Sequence, residues 1–158
     1  MLSIILLVWI FLIVLDRFIP TQKLPSGLPI GNKPVIFFDG ICKFCDNAVN
    51  FLLKEDKKAI LTFSTLQGDF AKRNLSRQEL SSMVYLDEKG ERRESNAFIN
   101  ILWRIGGLWR VISALLMLVP AFIRNAVYRL IAVNRYRLFG KKDHCMVPTI
   151  AERNRFID

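Results

Sequence analysis

Two cysteines three residues apart are the clearest chemical feature of this 158-residue chain. Cys42 and Cys45 directly follow the apolar run 35–38 and stand at the start of a helical pattern of apolar residues. Backbone N–H groups and the dipole at a helix N-terminus stabilise a thiolate, which favours the first sulfur as a nucleophile. The spacing also brings both sulfurs within disulfide reach in one helical turn. The motif predicts thiol–disulfide exchange, with Cys42 as the exposed attacking thiolate and Cys45 as the resolving thiol.

Asp39 stands at the end of the predicted strand, three residues before Cys42. A partly buried carboxylate at this place could exchange protons with a cysteine during turnover, although its negative charge opposes thiolate formation. It could equally cap the helix or order the turn at Gly40. The two interpretations are compatible, and both stay open. The candidate catalytic residues are therefore Asp39, Cys42 and Cys45.

His144 and Cys145 are the only histidine and the only cysteine outside this motif. Together with Cys42 and Cys45 they make a Cys3His set, the ligand count of a structural zinc site. Adjacent residues rarely converge on one metal without a sharp turn, which makes a zinc site less favoured than a redox site. Zinc binding in a membrane-associated interaction module is therefore kept as the alternative function. A disulfide relay through Cys145 and an ordinary free thiol are further possibilities. For the leading function we expect no cofactor.

The sequence lacks the motifs of several other enzyme classes. No glycine-rich phosphate loop and no serine nucleophile elbow occur in the chain. A phosphatase-type site would need a second aspartate two residues after Asp39, where this chain has Ile41. Nucleotide enzymes and dehydrogenases are therefore not supported.

The apolar periodicity predicts the element order strand, helix, strand, helix, strand, strand, helix. The strands are expected at 35–38, 60–64, 83–86 and 91–94. The helices are expected at 44–55, in pieces over 67–80 with a capping box at Ser76 and Glu79, and from an N-cap at Ser95 through Trp103. This order is that of an α/β, thioredoxin-like domain with the two cysteines at the start of its first helix.

Two apolar helices, 108–119 and 121–133, are predicted to follow Gly106 and Gly107. Twelve residues are too few to span a bilayer, so we expect an additional C-terminal helical hairpin packed on the sheet. Partial insertion at a membrane surface is the alternative.

The first 19 residues form an almost wholly apolar segment. As a helix, the first fifteen would span ~22 Å of the ~30 Å hydrocarbon core, and extension to Ile19 nearly closes the gap. Without a basic n-region or a small-residue cleavage site, residues 1–19 are predicted to be a retained single-pass membrane anchor. A mis-assigned start or an apolar helix docked on the domain are the alternatives.

Residues 20–33 are predicted to be a Pro/Gly linker and 34–158 the domain. Basic residues after the segment place the domain in the cytoplasm, where its cysteines rest mostly reduced.

The net charge of +9 is concentrated in residues 103–145, which carry eight arginines and lysines against Asp143. A basic and apolar segment predicts either contact with anionic lipid heads or a solvated basic face on packed helices. Nucleic acid is not an expected partner, because no binding motif accompanies the charge. The expected partners are a protein or small-molecule thiol or disulfide substrate, and a membrane.

The chain resembles the DCC family of thiol-disulfide oxidoreductases, which is named after an aspartate and two cysteines in the motif D-x-x-C-x-x-C. The residues that match its opening are Phe37-Phe38-Asp39-Gly40 and Cys42. Those similar to its C-terminal signature are Tyr128 to Ala132, Asn134-Arg135-Tyr136-Arg137 and Phe139-Gly140, and Cys145 followed by Pro148 resembles its ending. This resemblance, over roughly 34–148, implies a thioredoxin-like fold, a redox CxxC and Asp39 as part of the site. No proline occurs between Pro34 and Pro120, so the cis-proline loop with which thioredoxins dock peptides is not implied.

Overall fold

A four-stranded mixed sheet supports the cysteine motif. The structure, a computed structural model, describes residues 33–77, 82–142 and 148–157. The strands lie in the order β2-β1-β3-β4, with β1 parallel to β2 and antiparallel to β3, and with β4 antiparallel to β3. Their bounds are Val35–Phe38 for β1, Thr62–Thr65 for β2, Val84–Asp87 for β3 and Gly90–Arg93 for β4.

The described residues form five α-helices. They are α1 (Lys43–Glu55), α2 (Asp69–Asn74), α3 (Glu94–Ile105), α4 (Leu108–Met117) and α5 (Ala121–Phe139), followed by a 3-10 turn at Arg153–Arg155. The order of strands and helices is the predicted one and is consistent with a thioredoxin-like fold. Strand bounds differ from the predictions by at most two residues.

The central strand β1 has a core on each face. Ile36 and Phe38 pack with the buried faces of α1 and α3, whereas Val35 and Phe37 pack with α2 on the opposite face. All four side chains are buried, which explains why the strand is a continuous apolar run without alternation. The end of β1 is therefore fixed on both sides where the chain turns into the cysteine motif.

One predicted helix start differs from the structure, and a second falls mostly outside the described residues. Arg93, and not Ser95, is the N-cap of α3, and the Ser95 hydroxyl instead donates to the side-chain oxygen of Asn125 on α5. Ser76 lies beyond the end of α2 and binds the carboxylate of Glu91 through its backbone N–H and hydroxyl, at 3.0 and 2.9 Å. Glu79 of the predicted capping box lies outside the described residues.

The last two helices differ from the predicted hairpin. They meet at an angle of 111°, and α4 packs chiefly on α3 while α5 packs on α3 and α1 rather than on the sheet. α5 continues to Phe139 instead of ending at 133. Within the described residues no single helix has the length and apolarity needed to cross a bilayer, and α4 and α5 meet these criteria only as a bent pair. The predicted anchor, 1–19, and nearly all of the linker, 20–33, lie outside the described residues.

The C-terminal residues cover the outer edge of β2. Phe156 forms a parallel bridge with Phe63, and the Ile157 N–H donates to the Phe63 carbonyl at 2.8 Å. The Phe156 ring stacks on that of Phe63 and meets Phe38 edge to face, with centroids 5.5 and 6.3 Å apart. An ion pair between Arg155 and the buried Asp56 fixes the same segment. This edge is thereby protected from pairing with another chain.

Candidate active site

The sulfur of Cys42 caps the first helix. Cys42 is the N-cap residue of α1, with φ −91° and ψ 115°, and its Sγ accepts a hydrogen bond from the Cys45 N–H at 3.4 Å. The sulfur thus satisfies one of the backbone donors that a helix start leaves unpaired. The interpretation in which the Asp39 carboxylate caps the helix is wrong. The predicted place of the motif, between β1 and α1, is confirmed.

Both sulfurs are thiols, and both are buried. Cys42 has no exposed surface, and Cys45 is 6% exposed. The prediction that Cys42 is exposed is therefore wrong. Only Lys43, between them, extends into solvent.

A short stretch after α5, which we call the closing segment (Gly140, Lys141 and Lys142), lies against Cys42. Lys141 forms an antiparallel bridge with Cys42, and the Lys142 N–H donates to the Ile41 carbonyl at 2.9 Å. The Lys142 ammonium forms an ion pair with Asp46, a buried residue in the first turn of α1. Gly140 allows the chain to turn here, because its φ of +83° is one that other residues rarely adopt.

Asp39 is buried, and its carboxylate is surrounded by donors. Oδ1 accepts from the Gln67 amide at 2.7 Å and from the Ile41 N–H at 3.3 Å, which confirms that Asp39 orders the turn at Gly40. Oδ2 accepts from Arg135 at 2.8 Å and from the Tyr136 hydroxyl. Gln67 also accepts the Gly40 N–H at 3.3 Å. The carboxylate thus connects the turn at Gly40 with the residues that follow β2 and with α5.

Arg135 is the main site residue that the sequence analysis did not identify. Its side chain is buried against Asp39 and donates to the Tyr136 hydroxyl at 3.0 Å, although by sequence it belongs to the basic and apolar segment 103–145. Burial opposes its charge, but the hydrogen bond with Tyr136 and the charges of Cys45 and Asp39 raise the pKa of Arg135. Arg135 and Tyr136 do occur in the C-terminal signature, which was the available signal. Gln67 follows a strand parallel to β1, so its place at the same sheet edge was a second signal.

The pKa of the Cys45 thiol is raised in the folded protein. Burial raises the pKa of Cys45 to about 12, and so do the charge of a Cys42 thiolate and the hydrogen bond between the two side chains. Arg135 and the Asp39 backbone oppose this increase without cancelling it. Cys45 is therefore a protonated thiol at neutral pH that can donate its hydrogen to the Cys42 sulfur.

No three histidine, cysteine, aspartate or glutamate side chains within 33–77, 82–142 and 148–157 lie together as metal ligands would. Two ligands of the alternative zinc site, His144 and Cys145, fall outside those ranges. The zinc site and the Cys145 relay therefore stay predictions.

Comparisons with known proteins agree with the geometry. A family model described as DCC1-like thiol-disulfide oxidoreductase matches residues 36–141. The "Uncharacterized protein YuxK" of Bacillus subtilis (strain 168) is 34% identical over 128 residues, which cover 78% of this chain and 93% of that protein. The "DCC family protein At1g52590, chloroplastic" of Arabidopsis thaliana is 30% identical over 118 residues, with 72% and 69% covered. No solved structure matches the chain significantly.

Proposed function

The chain belongs to the DCC1-like thiol-disulfide oxidoreductase family, and on that premise we propose that it catalyses thiol–disulfide exchange with Cys42 as nucleophile and Cys45 as resolving thiol. The observation that carries this proposal is the Cys42 sulfur at the N-terminus of the 13-residue helix α1, where it accepts the Cys45 N–H. Donors and the helix dipole at such a place stabilise negative charge on the sulfur.

The exchange has two steps. The Cys42 thiolate attacks a substrate disulfide, so a Cys42–substrate disulfide forms and the other substrate sulfur leaves as a thiolate. The Cys45 thiol then loses its proton and attacks the Cys42 sulfur. The Cys42–Cys45 disulfide forms, and the second substrate sulfur leaves and takes up a proton. The substrate disulfide is thereby reduced to two thiols and the protein pair is oxidised, and the reverse sequence oxidises a dithiol.

Asp39 and Arg135 support the second step in this proposal. Asp39 fixes Arg135 through the 2.8 Å contact, and Arg135 opposes the increase in the pKa of Cys45. Asp39 is thus a positioning residue for the cation that favours a Cys45 thiolate. Proton exchange by Asp39 itself stays a prediction, and the substitution Asp39→Asn separates the two roles.

Access to Cys42 requires a local opening. Because the closing segment pairs with the backbone on both sides of the buried Cys42 side chain, we propose that this segment moves when a substrate disulfide reaches the sulfur. The contacts that hold the segment in the described residues are local hydrogen bonds and the ion pair of Lys142 with Asp46, so we expect such an opening to cost less than global unfolding. The substrate can be a protein or a small molecule.

A redox titration tests the proposed function. The full chain with Cys145→Ser, which removes the third thiol, is equilibrated in glutathione buffers, alkylated and weighed intact. We expect reversible loss of two hydrogens, mapped to Cys42–Cys45, while Cys45→Ser accumulates a mixed disulfide and Cys42→Ser forms none. Full alkylation of both thiols throughout the range would contradict the proposal. One bound zinc per unsubstituted chain, with unfolding on chelation, would favour the alternative module instead.

Membrane association is a separate part of the proposal. Several large apolar side chains of α4 and α5 are exposed, among them Leu108, Leu115, Phe122, Leu130 and Val133. Arginines on the same helices would favour anionic lipid heads. Residues 33–158, without the predicted anchor, are expected to float with phosphatidylglycerol vesicles, whereas the same fragment with Arg110→Gln and Arg137→Gln is not. Equal flotation of both would contradict the electrostatic contribution.

A further inference from the structure

A cavity of about 230 Å³ lies beside Cys45. Apolar and aromatic side chains from α1, α3 and α5 form most of its wall, including Phe44, Phe98 and Tyr128. Phe98 and Ile131, which also line it, are each 39% exposed, so the cavity reaches the surface there. Next to this opening, Val127 and Leu130 are exposed as well. The cavity is therefore continuous with the apolar outer surface of α5.

Two groups in the wall can do chemistry. Cys45 contributes its side chain, and Arg135 contributes a cation whose charge acts on Cys45. Cys42, the proposed nucleophile towards disulfide substrates, does not line the cavity. The closing segment thus lies against Cys42, whereas the cavity lies beside Cys45.

We propose that this cavity binds the ring of a lipid-soluble quinone, which exchanges electrons with the cysteine pair through Cys45. The inference rests on the proposed redox function of the pair. The cavity is smaller than the roughly 300–1,000 Å³ typical of pockets for drug-sized ligands, which suits a single ring. Aromatic side chains favour a flat ring by stacking, and the exposed apolar surface at the opening suits a lipid tail.

The electron transfer needs no further oxidant or reductant. The Cys45 thiol passes its proton across the hydrogen bond to Cys42, and the Cys45 sulfur forms a transient bond to a ring carbon of the quinone. Cys42, after losing a proton, attacks the Cys45 sulfur, so the disulfide forms as the sulfur–carbon bond breaks. The electron pair stays on the ring, which takes up the proton released by Cys42 and a second proton from solvent and becomes the hydroquinone. Arg135 stabilises the negative charge that develops on the ring oxygen.

Decylubiquinone is a suitable probe. Because every position of its ring is substituted, it does not arylate surface thiols. The reduced full chain with Cys145→Ser, in phosphatidylcholine vesicles without oxygen, is mixed with decylubiquinone, and quinone absorbance and intact mass after alkylation are followed. Ala132→Phe fills the cavity from α5. Ala126→Phe makes the same change at an exposed position of that helix outside the cavity and serves as the matched control.

We expect Ala132→Phe to slow oxidation by decylubiquinone at least about tenfold, while its oxidation by glutathione disulfide stays unchanged and Ala126→Phe affects neither. If Ala132→Phe does not fold, Phe98→Ala at the exposed rim replaces it and should raise the quinone KM alone. Two results would overturn the quinone site and leave the proposed function intact. One is an equal rate of oxidation by decylubiquinone in both Ala→Phe variants. The other is a wild-type protein that glutathione disulfide oxidises and decylubiquinone does not. Failure of both oxidants would overturn the proposed function itself.

Discussion

Arg135 reaches back across 96 positions to Asp39 and forms an ion pair with it in the protein interior. Nη2 of the arginine donates to Oδ2 of the carboxylate at 2.8 Å, and the two side chains are 5% and 1% exposed. The contact joins α5 to the turn between β1 and α1, which carries Cys42. The last long helix is therefore connected to the redox motif through charge as well as through packing.

Removal of one partner of this pair should be costly. Arg135→Met leaves the Asp39 carboxylate buried without its cation, and we expect a loss of about 3–5 kcal/mol in the free energy of unfolding. Urea denaturation of the reduced protein measures it. The double variant with Asp39→Asn should lose less than the sum of the two single losses, because neither charge is then left alone. A simple sum would show that the two side chains do not interact.

The exposed pair between Arg129 and Glu94 is the matched control for this experiment. Its arginine lies on the same helix and donates at 2.6 Å, but its side chain is 69% exposed. Arg129→Met should therefore cost no more than about 1 kcal/mol. An equal loss for both Arg→Met variants would mean that burial does not set the strength of the inner pair.

Asp39→Asn distinguishes a positioning role from proton exchange. If Asp39 acts by fixing Arg135, the substitution should lower the exchange rate at every pH without changing the shape of the pH–rate profile, and Arg135→Lys should act in the same way. If Asp39 exchanges protons with a thiol, the profile should lose one ionisation while Arg135→Lys keeps it. We expect the first result, measured as glutathione disulfide reduction against pH. An Asp39→Asn protein with wild-type rates would contradict both roles.

The raised pKa of Cys45 makes the reduced protein less stable in alkali. An unfolded cysteine loses its proton near pH 9.0, whereas folded Cys45 keeps it until about pH 12, because burial and the neighbouring Cys42 thiolate disfavour a second charge. The stabilising contribution of the protonated thiol is complete below pH 9.0 and is lost as the pH rises towards 12. Urea midpoints of the reduced protein at successive pH values should show this fall.

Cys45→Ala and Cys42→Ala separate the causes of that fall. In Cys45→Ala the fall in stability due to the thiol should disappear. A fall due to buried Tyr85 should remain, because burial and the charge of Asp87 raise the pKa of Tyr85 from 10.0 to about 12. In Cys42→Ala the pKa of Cys45 should decrease, since one charge and one hydrogen bond are removed, and alkylation of Cys45 should begin at lower pH. Unchanged alkylation would show that burial alone controls Cys45.

The ion pair of Lys142 with Asp46 should limit access to Cys42. Lys142→Gln removes the charge that holds the closing segment to α1, and we expect the alkylation of Cys42 to accelerate about fivefold, which corresponds to about 1 kcal/mol. Iodoacetamide labelling followed by peptide mass analysis measures the rate. Lys89→Gln, at the exposed turn between β3 and β4, should leave the rate unchanged. No acceleration in Lys142→Gln would contradict the proposed movement of the closing segment.

The parts of the fold that could be predicted are those specified by nearby residues. The apolar run of β1 and the helix with its cysteines are visible locally, because strand burial and helix periodicity act over a few residues. α5 was predicted to end at 133 because Arg135 and its neighbours interrupt the apolar pattern. Arg135 is nevertheless buried, since its partner Asp39 lies far back in the chain.

The burial of Cys42 could not be predicted for the same reason. A helix start after a strand is normally open to solvent, and nothing near Cys42 indicates that residues after α5 will pair with it. Likewise, Ser95 has the residue type of an N-cap, but Asn125 on α5 accepts its hydroxyl. In each case a contact between distant segments overrides a local preference. For Arg135, only the resemblance at residues 134–137 offered a signal.

The distance along the chain between Asp39 and Arg135 has a consequence for biosynthesis. At translation rates of roughly 5–20 residues per second, the 96 positions between them take about 5–20 s to synthesise. For that time the ribosome has produced both reactive cysteines but neither the arginine that pairs with Asp39 nor the residues that cover Cys42. We therefore expect the nascent chain to expose its thiols to cellular oxidants and chaperones for seconds, until residues 135–142 have been synthesised and can cover them.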